Sequence, residues 1–203
     1  MAMPTVTDVD GNVYHTVKIG NQIWLRENLK TNHYQNGDAI ENAITASAWL
    51  SNVSGAYCDD PNRPDYAKIY GHLYNWQAVS DVRKIAPEGW HIPSQAEWQT
   101  LVENLGGKTI AGGKAKETGT AHWKSPNTGA TNSSVFTGLP GGQREGVQGL
   151  FNYSNTYAGF WSNSTVANNQ TWADIAELGS GSTSFNLNNQ KKNFGLSVRC
   201  IKD

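Results

Sequence analysis

The side chains best able to do chemistry in this 203-residue chain are scattered rather than clustered. Its five histidines, His15, His33, His72, His91 and His122, each lack a second ligand two to four positions away. Zinc needs several converging nitrogen or sulfur donors, so these histidines give no zinc framework. Asp59-Asp60-Pro61-Asn62 with Asp65 offers oxygen atoms of the kind calcium takes, but no calcium-loop spacing is complete, and a solvated turn is expected. Gly107-Lys108-Thr109 resembles the end of a phosphate-binding loop. The glycine such a loop needs five positions earlier is replaced by Val102, and a helix precedes the segment where a strand is required, so backbone amides would not converge on phosphate. No G-x-S-x-G is present, and neither Cys58 nor Cys200 has a histidine nearby in sequence. The expectation is a protein with no catalytic residues, no metal and no cofactor.

Those residues must be positioned by elements that the apolar pattern outlines. Thr5-Val6-Thr7, a turn at Asp10-Gly11-Asn12, and Val13 to Ile19 read as a hairpin, and Gly20-Asn21 turns the chain into Ile23-Trp24-Leu25. Ala43 to Leu50 suggests a short helix. Leu73, Trp76 and Val79 recur three apart and predict a helix over His72 to Val82. Ser94 and Glu97 form an S-x-x-E capping box; Trp98, Leu101, Val102 and Leu105 then mark one helix face, and Gly106-Gly107 ends it. Beyond Gly107 no helical pattern returns, and short apolar pieces sit between long polar stretches. Gly195 to Ile201 alternates strictly and reads as a strand. The order points to an α+β fold with two main helices, short antiparallel strands and long loops, as a single domain over residues 5–203. Trp24, Trp76, Trp90 and Trp98 are its expected core.

Composition narrows the partner. The net charge is -1 and no segment is strongly basic, which excludes a phosphate-neutralising nucleic-acid surface. No run of about 18 apolar residues exists to cross a bilayer. Met1-Ala2-Met3-Pro4 lacks the basic and apolar parts of a signal peptide. Cys58 and Cys200 read as either one disulfide or two buried thiols. From Asn152 to Asn193 the chain turns rich in Asn, Ser, Thr, Tyr and Gly. Aromatic rings give rigid contact area and short polar side chains give adaptable hydrogen bonds, the mixture used by antibody combining loops. The candidate ligand contacts are Tyr153, Asn155, Tyr157, Asn163, Asn168, Asn169, Trp172, Asn186, Asn188 and Asn189.

Several stretches together resemble the Fibrobacter succinogenes major paralogous domain family. They run from Val6-Thr7-Asp8-Val9-Asp10-Gly11-Asn12-Val13-Tyr14 through Ile19-Gly20-Asn21-Gln22-Ile23-Trp24 and Glu27-Asn28-Leu29. Tyr70-Gly71-His72-Leu73-Tyr74-Asn75-Trp76 and Pro87-Glu88-Gly89-Trp90-His91-Ile92-Pro93-Ser94 follow. Leu139-Pro140-Gly141-Gly142-Gln143-Arg144, Phe160-Trp161-Ser162 and Ser197-Val198-Arg199-Cys200 complete the set. The resemblance implies a C-type-lectin-like fold, shared with formylglycine-generating enzymes and with proteins varied by diversity-generating retroelements. It implies a bacterial cell-surface, secreted or phage-displayed protein, whose variable residues lie near the C-terminus and contact a ligand. The oxidase relatives need a pair of reactive cysteines near the C-terminus, and this chain has Cys200 alone there.

The expected function is therefore non-catalytic, adhesin-like recognition of a protein or glycan. A carbohydrate-binding accessory domain of a cell-surface system is the second reading, and a formylglycine-generating-enzyme-like oxidase the third. Gly141-Gly142 and Arg144 are expected to shape a turn behind the binding loops, with direct ligand contact by Arg144 the alternative.

Overall fold

The structure, a computed structural model, describes residues 4–63 and 65–203; Met1-Ala2-Met3, which begin the stretch read for a signal peptide, lie outside them. At the N-terminal end, β1 (Val6–Thr7) and β2 (Val13–Tyr14) form the expected hairpin, and β3 (Thr16–Ile19) pairs with β4 (Gln22–Leu25). Asp8 ties the first turn: its carboxylate accepts from the Asp10 and Asn12 backbone N–H groups and from the Tyr14 hydroxyl at 2.6 Å. Next come β5 (Glu41–Asn42), α1 (Ala46–Ser51), β6 (Ala56–Cys58), α2 (Tyr66–Tyr70) and β7 (Leu73–Tyr74). The three strands among them form one sheet, with β5 parallel to β6.

The helix expected over His72 to Val82 is a correction. Leu73 and Tyr74 pair with Cys58 and Tyr57 as a strand, and only one turn, α3 (Trp76–Val79), is helical. Asn75 sets the boundary, its side-chain carbonyl accepting from Ala78 N–H (3.0 Å) and from Ala56 N–H (2.9 Å). Tertiary hydrogen bonding thus overrides a recurrence that looked helical. Trp76 is half-buried rather than core, whereas Trp24, Trp90 and Trp98 are buried as expected.

After β8 (Trp90–His91), α4 (Gln95–Asn104) carries the predicted capping box. Ser94 Oγ accepts from Glu97 N–H and the Glu97 carboxylate accepts from Ser94 N–H. A second helix that the pattern hid follows as α5 (Lys108–Ala115). Gly112 and Gly113 lower helix propensity, but close packing requires them. A Cβ on Gly112 would strike the Ser184 carbonyl, and one on Gly113 the Gly129 carbonyl.

The C-terminal half brings the largest correction. Where long loops were expected, β9 (Gln143–Arg144) and β10 (Phe151–Asn152) lead into β11 (Tyr157–Thr165), β12 (Trp172–Gly179) and β13 (Phe185–Lys191), a continuous antiparallel sheet. One face of it, Ala158, Phe160, Ala176, Leu178 and Phe185, packs with Trp98, Leu101 and Phe136. Aromatic rings meet here at centroid distances of 4.8 Å (Trp24–Trp98) and 5.7 Å (Trp98–Phe160). The final strand, β14 (Ile201–Lys202), sits between β4 and β8 and joins the two ends of the chain in a four-stranded sheet ordered β3-β4-β14-β8. Residues 195–200, expected to alternate between core and solvent, are buried throughout and make only isolated bridges.

Ser197 and Arg199 are therefore inside, and Arg199 is satisfied without a carboxylate. Its guanidinium donates to Asn28 Oδ1 (2.8 Å) and to the Leu25 and Phe136 carbonyls, and stacks 4.3 Å from the Phe136 ring centroid. Burial lowers its pKa to about 9. Lys116 repeats the device, donating to the Thr128, Gly179 and Ser182 carbonyls. Cys58 and Cys200 are both free and buried, so of the two readings the disulfide is overturned.

Candidate functional site

Strand pairing sorts the predicted contacts, because residues directly opposite on antiparallel strands share a face. Glu177 pairs with Asn186, Ile175 with Asn188, and Ala173 with Gln190. Tyr157 joins this face, its hydroxyl donating to Glu177 Oε2 at 3.2 Å. Burial and the adjacent Glu177 carboxylate push the Tyr157 hydroxyl up, so it stays a neutral donor. Over β11 and β12 the face is covered: Trp161, Ala173 and Ile175 pack with Leu196 and Val198. Over β13 it opens at Asn188, which is exposed, between the half-buried Asn186 and Gln190.

At the edge of this open strip lies a depression of about 490 Å³ lined by Gln143, Tyr153, Thr156, Tyr157, Glu177 and Gln190. The preceding turn presents Tyr153, which is 62% exposed and adopts φ 61°. Its ring lies 6.2 Å from that of Tyr157. A left-handed backbone at a tyrosine costs energy, and the Thr156 and Tyr157 N–H groups, both donating to the Tyr153 carbonyl, hold it. An exposed aromatic edge, a phenol, a carboxylate and two amides thus converge on one hollow.

The remaining predicted residues do not share that hollow. Asn155 adopts φ 68° and spends its side chain on the turn, donating to the His122 carbonyl at 2.6 Å. Trp172 and Asn189 lie on the opposite face, paired with Lys191 and Asp174. Asn168 and Asn169 occupy the β11–β12 turn, where Asn169 Oδ1 accepts from the Thr171 N–H and hydroxyl. Asn163 is exposed at the far end of β11, its N–H donating to the Pro93 carbonyl. A nine-residue strand spans roughly 30 Å. Only a macromolecular ligand could touch both Tyr153 and Asn169.

Glu177, Gln190, Gln143 and Thr156 line the hollow and were missed in the sequence. The signal available for Glu177 and Gln190 was period-two alternation along Trp172 to Gly179 and Phe185 to Lys191, which places every second residue on one face. A second depression, of about 460 Å³, opens at the end of β13 between Gln77, Gln170, Thr171, Lys191, Lys192 and Asn193.

Arg144 belongs behind these surfaces. It is 1% exposed and donates to the Ala43, Ile44 (2.8 Å) and Gly149 (3.1 Å) carbonyls, with its guanidinium over both Trp49 and Phe151. Gly142, at φ 79°, lies beside it. Burial pushes the Cys58 thiol up to about 12 and raises Cys200 further, which keeps both protonated. Among the described residues no cluster of His, Cys, Asp and Glu is arranged to hold a metal, and no helix is long and apolar enough to cross a membrane. The Asp59 segment is committed internally: Asp59 meets His72 Nδ1 at 2.6 Å and Asp60 accepts from Asn62 N–H.

A family model described as the Fibrobacter succinogenes major domain matches residues 17–202. No curated protein and no solved structure matches the chain.

Proposed function

The chain belongs to the Fibrobacter succinogenes major domain family, and on that premise we propose that it is a non-catalytic recognition domain binding a protein or glycan through its C-terminal sheet. The observation that carries the reading is the hollow between Tyr153 and β13, continuous with the open strip of Asn186 and Asn188. Aromatic area stands there beside amides whose hydrogen bonds, at Asn188 and Gln190, reach only the next residue of their own strand, the arrangement expected of a contact surface. The fold proposed is C-type-lectin-like and the setting extracellular or cell-surface, with β13 as the strip open to retroelement diversification. Two buried, protonated thiols support the non-catalytic reading over an oxidase, which needs an accessible thiolate.

The test is a glycan array combined with a displayed-protein binding screen. Wild type should bind, and a triple variant Tyr153→Ala, Asn186→Ala, Asn188→Ala should lose roughly tenfold or more in affinity while melting unchanged. Unaltered binding in the triple variant would remove the surface from the site. Thiol-oxidase turnover lost on Cys200→Ser would reject the non-catalytic reading.

A further inference from the structure

We propose that the depression at the end of β13 binds an acidic saccharide, a sugar bearing a carboxylate; this deepens the recognition reading and rests on it. The hollow is about 460 Å³, within the range of pockets that hold small ligands. Two cations line it. Lys192 Nζ lies 4.0 Å from the Trp76 ring centroid and Lys191 Nζ 6.0 Å from that of Trp172. Indole faces hold an ammonium in place without neutralising its charge. Among the described residues neither lysine forms a salt bridge. The carboxylate nearest along the strands, Asp174, pairs across the sheet with Asn189 and joins no ion pair.

The rest of the lining supplies the second half of the chemistry. Gln77, Gln170, Thr171 and Asn193 are neutral hydrogen-bonding groups. Asn193 Nδ2 is spent on the Gly146 carbonyl. Gln170 and Thr171 are exposed, so their amide and hydroxyl stand open to a ligand. A matching ligand brings negative charge for the lysines and hydroxyls that can both donate and accept for the Gln170 amide and the Thr171 hydroxyl. Sulfate brings charge without a donor and a neutral sugar brings donors without charge; an acidic peptide brings charge with backbone N–H donors but no ring of hydroxyls, and is the rival the titration must reject. An acidic sugar brings both.

The experiment titrates the full chain with tetragalacturonate, with its methyl ester, with tetraglutamate and with inorganic sulfate, read by calorimetry at low salt. The acid form should bind at least roughly tenfold more tightly than the ester. Lys191→Gln with Lys192→Gln should bring the acid down to the level of the ester. Gln170→Ala should weaken tetragalacturonate several-fold and leave sulfate unchanged, a split that general loss of structure would not give; thermal melting checks that each variant folds. Equal binding of acid and ester, no binding of the acid, or sulfate or tetraglutamate as tight as the acid would each overturn the proposal. If that happens while the Tyr153, Asn186 and Asn188 triple variant still loses its array ligand, this site falls and the recognition reading stands. If that binding is also untouched, both fall.

Discussion

Replacing Arg144 with methionine tests whether a buried cation holds the frame behind the proposed binding surface. The guanidinium donates to three backbone carbonyls, of Ala43, Ile44 and Gly149, and lies 4.8 Å and 4.9 Å from the Trp49 and Phe151 ring centroids. Hydrogen bonds from a charged donor are worth about 1.5–3 kcal/mol each, so three contribute roughly 5 kcal/mol. Two cation–π contacts add about 2 kcal/mol. Against this stands the desolvation of an unpaired cation, several kcal/mol, of which about 3 is relieved when the charge is removed. The net expectation for Arg144→Met is a loss of about 4 kcal/mol, or roughly 8–16 °C in melting temperature for a chain of this size. Lysine keeps the charge but not the fork, and one ammonium satisfies only part of the carbonyl set. Arg144→Lys should therefore lose about 2 kcal/mol. Urea and thermal unfolding read both values. A loss under about 1 kcal/mol for methionine, or a lysine variant equal to wild type, would refute the accounting and leave the carbonyls satisfied by water.

Gly112→Ala should destabilise, by roughly 1–3 kcal/mol on thermal melting, although alanine is the better helix former, because its Cβ meets the Ser184 carbonyl. A stabilised variant would mean that the α5–β13 approach yields easily. His91 reports on pH. Partial burial opposes its charge, but hydrogen bonds to Asp203 and Glu97 outweigh that and raise its pKa above the ordinary value. Its contribution is full below about pH 6.5 and fades as pH rises through the raised folded value. The melting difference between wild type and His91→Gln should shrink from pH 5.5 to pH 8, and a constant difference would exclude the linkage. Single alanine substitutions at Asn186, Asn188 and Asn189 should each change stability by less than about 0.5 kcal/mol in urea unfolding. A loss above about 1 kcal/mol would put that side chain in the scaffold.

What was legible in the sequence depended on whether a signal was local. The Ser94 capping box and the β3–β4 hairpin are closed within a few residues, and both formed as read. The helix at 72–82 failed because Asn75 answers to Ala56, a partner 19 positions away. Helix α5 was hidden because its glycines are chosen for contact with the backbone at Ser184 and Gly129, not for propensity. The C-terminal sheet was hidden by its own composition. Asn and Gly are poor strand formers, and β13 shows the core only Phe185 and Leu187 among seven residues. For the candidate site, sequence singled out the Tyr153–Tyr157 turn and the β13 asparagines, while the face each occupies required the register.

The buried cations and the surface asparagines solve opposite problems. Arg144, Arg199 and Lys116 donate to carbonyls of loops that no strand satisfies, tying together segments far apart in the chain. A loop-rich fold needs such donors, because a buried carbonyl without one is costly. Once those donors fix the backbone, the outward side chains of β13 have no structural task. Among the described residues, Asn188 Oδ1 accepts only from the neighbouring Asn189 N–H, and neither Asn186 nor Asn189 has a side-chain hydrogen bond to the frame. Asn155 makes the contrast, since its amide holds the His122 carbonyl and its identity is tied to the turn. A strip whose backbone is fixed from beneath and whose side chains are uncommitted can change its chemistry at little cost in stability. That separation, more than the asparagine content itself, makes β13 suited to recognition.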